Sequence, residues 1–189
     1  MTALLSTISL LLTSVYIFLL VYFIKGWASL RRPAVHSGTF STKVTVLIAA
    51  RNEEDNIRLT IDDLLVQDYP KELTEIIIVD DHSTDATAKI IRSYADKGVK
   101  LLQLNEDQPL NSYKKKAIAT AIAQSTGDLM VATDADCRMG SKWLSSVVSY
   151  YENNNLVMIS APVSYFQERT LFEYLQTLEF AYLIGLGAS

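Results

Sequence analysis

Hydrophobic positions fall into two regimes along the chain. Leu4 to Ile24 is one stretch of apolar or small residues without a charged residue, long enough to cross a bilayer as a helix. Beyond Thr42 the apolar residues come in short runs separated by amphipathic segments. Lys43 to Ala50 is a β-branched run and predicts a first strand, and Ile57, Ile61, Leu64 and Leu65 follow at helical spacing until Tyr69-Pro70 ends the helix. Glu75 to Asp80 predicts a second strand, and a helix follows to about Lys97, where Gly98 stops it. Val99 to Leu104 predicts a third strand, Asn105 to Tyr113 a loop with Pro109, Lys114 to Gln124 an alanine-rich helix and Leu129 to Thr133 a fourth strand. Ser141 to about Asn153 then reads as helix, Leu156 to Pro162 as a fifth strand, and Arg169 to Leu183 as a last helix. This alternation predicts an α/β domain on a mostly parallel sheet flanked by helices.

The polar residues gain meaning from that frame. Arg51 to Glu54 follow the first strand, Asp80 and Asp81 end the second, and Asp134 and Asp136 end the fourth. In an open α/β sheet ligands bind just beyond the carboxyl ends of the strands, so these residues are expected along one edge. Asp134 and Asp136 are hard oxygen donors that could share a divalent ion with a phosphate; the plainer reading of Asp-x-Asp is turn chemistry. Plainer roles also suit several neighbours: Asp85 as a helix cap, His82 as a turn residue, Cys137 as packing, Trp143 as core or wall, and Lys115 and Lys116 as solvated charges. Asp80 could order its own loop or meet a ligand. The stripe Leu171, Phe172, Leu175, Leu178, Phe180 and Tyr182 reads as helix packing or as a membrane-facing surface.

Composition narrows the classes. The chain has 189 residues, 49% of them hydrophobic, enough for a packed core. A net charge of −4 gives a nucleic-acid partner no electrostatic support. The single cysteine excludes an intrachain disulfide and a cysteine-cluster metal site. The apolar N-terminus lacks the preceding basic residues and the small-residue cleavage site of a signal peptide. Positive residues come after it, at Lys25, Arg31 and Arg32, with Tyr22 and Trp27 suited to an interface; this predicts a single-pass anchor in the cell membrane with the remainder cytoplasmic. The expected organisation is an anchor at 1–25, a juxtamembrane linker at 26–42 containing Pro33 and Gly38, and a globular domain at 43–189.

The loop after the first strand, Ala49-Ala50-Arg51-Asn52-Glu53, has no glycine. That speaks against a dinucleotide fingerprint, a P-loop and a nucleotidyltransferase loop, in which backbone must approach phosphates closely. A nucleotide held by side chains and a metal ion remains.

The segments Val44 to Ile57, Ile76 to Asp85, Lys114 to Ala117 and Gly127 to Cys137 together resemble, in order and spacing, the N-terminal donor-binding half of a family 2 glycosyltransferase of the GT-A fold. The resemblance runs from about Lys43 to Leu183. It implies a GT-A, Rossmann-like sheet and sugar transfer from a nucleotide diphosphate donor, usually a UDP-sugar, with inversion at the anomeric carbon. By the same resemblance Ala49, Arg51 and Glu53 would hold base and ribose, Asp81 would accept a hydrogen bond from uracil, and Lys114 would support the phosphates. Asp134 would lie near ribose and metal, and Asp136 would ligate the metal, Mg²⁺ or Mn²⁺. An anchored domain also suggests a lipid-linked or polysaccharide acceptor near the bilayer.

The sequence departs from the family pattern in places. Ala49 stands where many members have proline, and Tyr113 where glycine often precedes the lysine. No aspartate follows Asp136, and Glu152, Glu168, Glu173 and Glu179 lack the context of the family's catalytic base. The expectation is therefore the donor half of a longer enzyme, without its base. The alternative is a non-catalytic, membrane-anchored module that binds a nucleotide-sugar.

Overall fold

The computed structural model describes residues 2–29, 39–104, 113–154, 156–161 and 163–188. Pro33, Gly38 and the predicted loop around Pro109 lie outside them. The chain divides into two compact units, one comprising Met1–Arg32 with Met158–Ser189, the other Pro33–Val157.

In the first unit, helix α1 (Thr2–Ser29) includes the span Leu4–Gly26, with a mean hydropathy of 2.3 and no part of it buried. By length and composition it can cross a membrane. Helix α6 (Leu171–Ala188) starts at a reciprocal capping box: Glu173 accepts the Thr170 N–H at 2.9 Å, and Thr170 Oγ1 accepts the Glu173 N–H at 3.2 Å. The apolar stripe on this helix is largely exposed, at Leu171, Phe172, Leu175, Leu178 and Tyr182, while Phe180 meets the ring of Tyr165 edge-on.

The second unit carries a four-stranded sheet in the order β3-β2-β1-β4, formed by β1 (Val44–Ala50), β2 (Thr74–Asp80), β3 (Val99–Gln103) and β4 (Leu129–Asp134). Each neighbouring pair is parallel. Helices α2 (Ile57–Leu65), α3 (Thr87–Arg92), α4 (Tyr113–Gln124) and α5 (Trp143–Asn153) make the crossovers or pack on the faces. The period-two alternation of β1 sorts its side chains. Val44, Val46, Ile48 and Ala50 join Ile57, Ile61, Leu64, Ile91, Leu144 and Val148 in one buried layer. Leu47 joins Ile77, Val79 and the small Ala117 and Ala121 of α4 in another. Trp143 packs against the first layer, as its core reading predicts.

Two expectations need correction. The helix after Asp85 does not run to Lys97: it ends at Arg92, and a 3-10 turn covers Ala95–Lys97 before Gly98 at φ +87°. Between them Tyr94 turns inward, 4% exposed, with its hydroxyl donating to Asp62 at 2.8 Å. Among the described residues 156–161 no fifth strand forms. A strand needs a ladder partner as well as an apolar sequence, and Val157 and Met158 are fully or largely exposed.

The amino end of the sheet is fastened around a buried carboxylate. Glu75 accepts hydrogen bonds from Thr45 Oγ1 (2.7 Å), the Thr126 N–H (2.8 Å), Thr126 Oγ1 (3.1 Å) and Lys100 Nζ. Burial pushes its pKa up, but the hydrogen bonds from Lys100, Thr45 and Thr126 outweigh this and hold it at about 2. Next to it a Cβ on Gly127 would lie 2.6 Å from both the backbone nitrogen and the hydroxyl of Thr45, so β4 enters the sheet where only glycine fits. The start of the domain is tied down similarly. Glu152 accepts from Thr42 Oγ1 at 2.7 Å and from the Thr42 N–H at 3.1 Å, and the Tyr69 hydroxyl donates to the Thr42 carbonyl.

Candidate functional site

Register brings the strand ends level. Ala49 lies opposite Asp134 on one side of β1, and Ala50 lies opposite Asp80 on the other. The Asp81 N–H continues the ladder to the Ala50 carbonyl at 2.8 Å. The chain therefore leaves β1, β2 and β4 at a common rim, where the parallel-sheet rule predicts ligands.

Two loops on that rim are laced together. The Asn52 N–H donates to Ser83 Oγ at 2.9 Å, and Asn52 Oδ1 accepts the Thr84 N–H at 2.8 Å. Glu54 accepts the Ala86 N–H at 2.8 Å, while Asp85 accepts the Glu54 N–H at 3.2 Å and the Thr87 N–H at 2.9 Å. Thr87 Oγ1 in turn accepts the Glu53 N–H at 2.8 Å. Asp85 thus accepts the N–H of the first residue of α3, one position before the N-cap Ala86, and also braces the neighbouring loop. Asn52 (φ +55°) and His82 (φ +57°) adopt left-handed backbone, which asparagine and histidine tolerate better than most residues. Asp80, 2% exposed, accepts the Ser83 N–H at 3.3 Å and Gln103 Nε2 at 3.2 Å, so it orders its own loop.

The rim encloses a cleft of about 320 Å³ lined by Ala49, Ala50, Arg51, Glu53, Asp81, Lys114, Asp134, Ala135 and Asp136. All seven residues singled out from the sequence meet there. Asp81 is buried at the floor, with Arg51 Nη1 at 3.9 Å and His82 Nδ1 at 3.0 Å from its carboxylate. Lys114 Nζ sits 2.7 Å from Asp134 Oδ1, both side chains more than half exposed. Oxygens of Asp134 and Asp136 and the Cys137 sulfur lie within 4.8 Å of one another. Two carboxylates at that spacing form a hard donor set suited to Mg²⁺ or Mn²⁺. The cleft therefore pairs a buried acceptor at one end with an acidic pair and an amine at the other. A second cavity, about 530 Å³, lies near the opposite end of β2, against Leu64, Tyr69, Lys71, Ile76 and Lys97.

Sequence reading missed one supporting residue. Thr60, fully buried on α2, holds its hydroxyl 2.7 Å from the Ala135 carbonyl and 3.0 Å from the Cys137 carbonyl. Its signal was a hydroxyl on the apolar stripe Ile57, Ile61 and Leu64, since a buried donor must find an acceptor.

Known proteins are similar to this chain in sequence and fold. The chain is 31% identical over 122 residues to the glycosyltransferase AglE of Haloferax volcanii, covering 65% of this chain and 40% of AglE. A mannosyltransferase, PcManGT, from Pyrobaculum calidifontis, solved with GDP-Man and Mn²⁺, superposes with a TM-score of 0.59 at 27% identity, covering 70% of this chain and 39% of that one. TarS of Staphylococcus aureus, residues 1–349 with UDP-GlcNAc, gives a TM-score of 0.52 at 26% identity, covering 67% of this chain and 38% of that one. The chain thus spans about two fifths of the length of each. The model for Glycosyl transferase family 2 matches residues 45–186, which takes in all of the sheet but Val44 and every residue lining the cleft, and the chain belongs to that family.

Proposed function

We propose that this chain is the donor-binding part of a membrane-anchored glycosyltransferase that moves a sugar from a nucleotide diphosphate, a UDP-sugar in our reading, to a glycan or lipid-linked acceptor with inversion. The observation that carries the reading is the meeting of Arg51, Glu53, Asp81, Lys114, Asp134 and Asp136 in one cleft at the strand ends. Asp81 accepts the base N–H, since an ionised carboxylate is an acceptor only. Its burial makes that bond selective, because a base presenting an acceptor there would leave it unpaired. Ala49, Arg51 and Glu53 flank base and ribose. Asp136 and Asp134 hold the divalent ion, which when bound neutralises charge on the departing diphosphate. Lys114, now against Asp134, adds a mobile positive charge beside the phosphates. No aspartate follows Asp136 in the sequence, so the base that deprotonates the acceptor is assigned outside these residues. The positive residues that follow the apolar span, Lys25, Arg31 and Arg32, support a cytoplasmic domain, and an anchored domain favours a lipid-linked acceptor.

Calorimetry of the full chain in detergent micelles with UDP and Mn²⁺ tests the reading. Binding is expected with the wild type and weakened at least tenfold in Asp136→Ala, and CDP, whose base presents an acceptor nitrogen where uracil has its N–H, should bind less well than UDP. Absence of UDP binding in the presence of Mn²⁺ would refute it. The second reading, a non-catalytic nucleotide-sugar-binding module, is favoured by the absence of an aspartate after Asp136. It predicts the same binding, with no sugar transfer from a nucleotide-sugar donor to any acceptor offered.

A further inference from the structure

The chain after β4 is clamped to one helix. Cys137 N–H closes a turn onto the Asp134 carbonyl at 3.3 Å, and Thr60 holds the two carbonyls on either side of Asp136. One turn along α2, Asp63 receives Arg138 through Nε at 2.6 Å and Nη2 at 3.0 Å, and accepts the Met139 N–H at 3.1 Å. Just past the end of the helix, Gln67 donates to the Gly140 carbonyl at 2.9 Å and accepts the Leu144 N–H at 2.9 Å. Thr60 and Asp63 are spaced three apart, so they fall on one face of α2, and Gln67 follows just past the helix's C-cap Val66. Each meets the segment that begins at Asp136 in a different, specific geometry.

We infer that Thr60 and Asp63 on one face of α2, with Gln67 just beyond its end, form a positioning spine that sets where the Asp136 carboxylate stands, with Thr60 as its principal residue. Asp136 itself is exposed. Its direction must therefore come from the backbone, and Thr60 fixes that backbone on both sides of it. The Thr60 hydroxyl has a single proton, shared between two carbonyls at 2.7 and 3.0 Å, so the turn holds only while both stay in reach. The bidentate Arg138–Asp63 pair then fixes the exit of the turn in a planar geometry that a lysine could not reproduce. Partners behind a metal ligand commonly alter metal affinity by about ten- to a hundredfold when removed. The inference rests on the donor-site reading above, in which Asp136 ligates the ion.

The test is a Mn²⁺ titration of the full chain in micelles at saturating UDP, read from the loss of the free-ion paramagnetic resonance signal. It is run at a temperature where circular dichroism shows each variant folded. Thr60→Val, which keeps the shape and removes the hydroxyl, is expected to raise the Mn²⁺ dissociation constant about tenfold. Thr60→Ser, which restores the hydroxyl, should return to within about twofold of wild type. If Thr60→Val does not fold, Asp63→Asn serves in its place, with an expected loss of several-fold. A folded Thr60→Val, or failing it Asp63→Asn, with unchanged Mn²⁺ affinity overturns the inference while leaving the donor site standing. A wild type that binds no Mn²⁺ with UDP overturns both.

Discussion

Glu75→Gln gives the most quantitative handle on the fold. In the folded chain four donors converge on the carboxylate: Thr45 Oγ1, the Thr126 N–H and hydroxyl, and Lys100 Nζ. Burial alone would raise its pKa, yet those donors bring it from 4.5 to about 2. At 1.36 kcal/mol per pH unit this corresponds to about 3 kcal/mol of stability. The half-exposed Lys100 is partly screened by solvent, so about 2 kcal/mol is the working figure. The sign follows from the depressed value. The stabilisation is complete above pH 4.5 and is lost as the pH falls from 4.5 through about 2. Glutamine removes the charge and turns an amide donor toward donors, so Glu75→Gln should lose about 2–3 kcal/mol at pH 7 and show a shallower fall in stability below pH 4.5. The assay is urea unfolding in non-ionic micelles, followed by fluorescence in a Trp27→Phe background, where Trp143 is the remaining tryptophan. A loss below about 0.5 kcal/mol at pH 7, or an acid slope identical to wild type, would refute the reasoning.

Other predictions follow from the same contacts. Gly127→Ala should destabilise by about 1–3 kcal/mol, because its Cβ would strike the Thr45 backbone; a urea midpoint equal to wild type would argue against that close approach. Asn52→Gly should cost less than Asn52→Ala, since glycine keeps the left-handed backbone while both lose the bond to Thr84; equal losses in urea unfolding would mean that backbone conformation is unimportant there. Tyr69 is pushed up to about 12 by burial and by the charge of Glu152. Its contribution to stability should be intact below pH 10 and decline as the pH rises toward 12, and Tyr69→Phe should remove that decline in unfolding curves.

Much of this architecture was legible in the residues because the periodic signals were strong and local. The runs Val44–Ala50 and Thr74–Asp80 are β-branched and continuous, as strands buried on both faces should be. Their ends carry the charges, so a parallel sheet placed Asp81 and Asp136 on one rim before any distance was known. What escaped reading depends on partners distant in sequence. Leu156 to Pro162 has a strand's composition, but composition does not supply a neighbouring strand. The early end of α3 follows from Tyr94 reaching Asp62 on α2. The part of Thr60 became visible only when the turn after β4 came within 3 Å of its hydroxyl.

The most direct test of the account is a crystal structure of the chain with UDP and Mn²⁺, using anomalous scattering to locate the metal. The account predicts manganese bound to the Asp136 carboxylate and the uracil N–H within hydrogen-bond distance of Asp81, in the same cleft. Manganese away from Asp136, or the nucleotide seated in the cavity beside Tyr69 and Lys97, would contradict it.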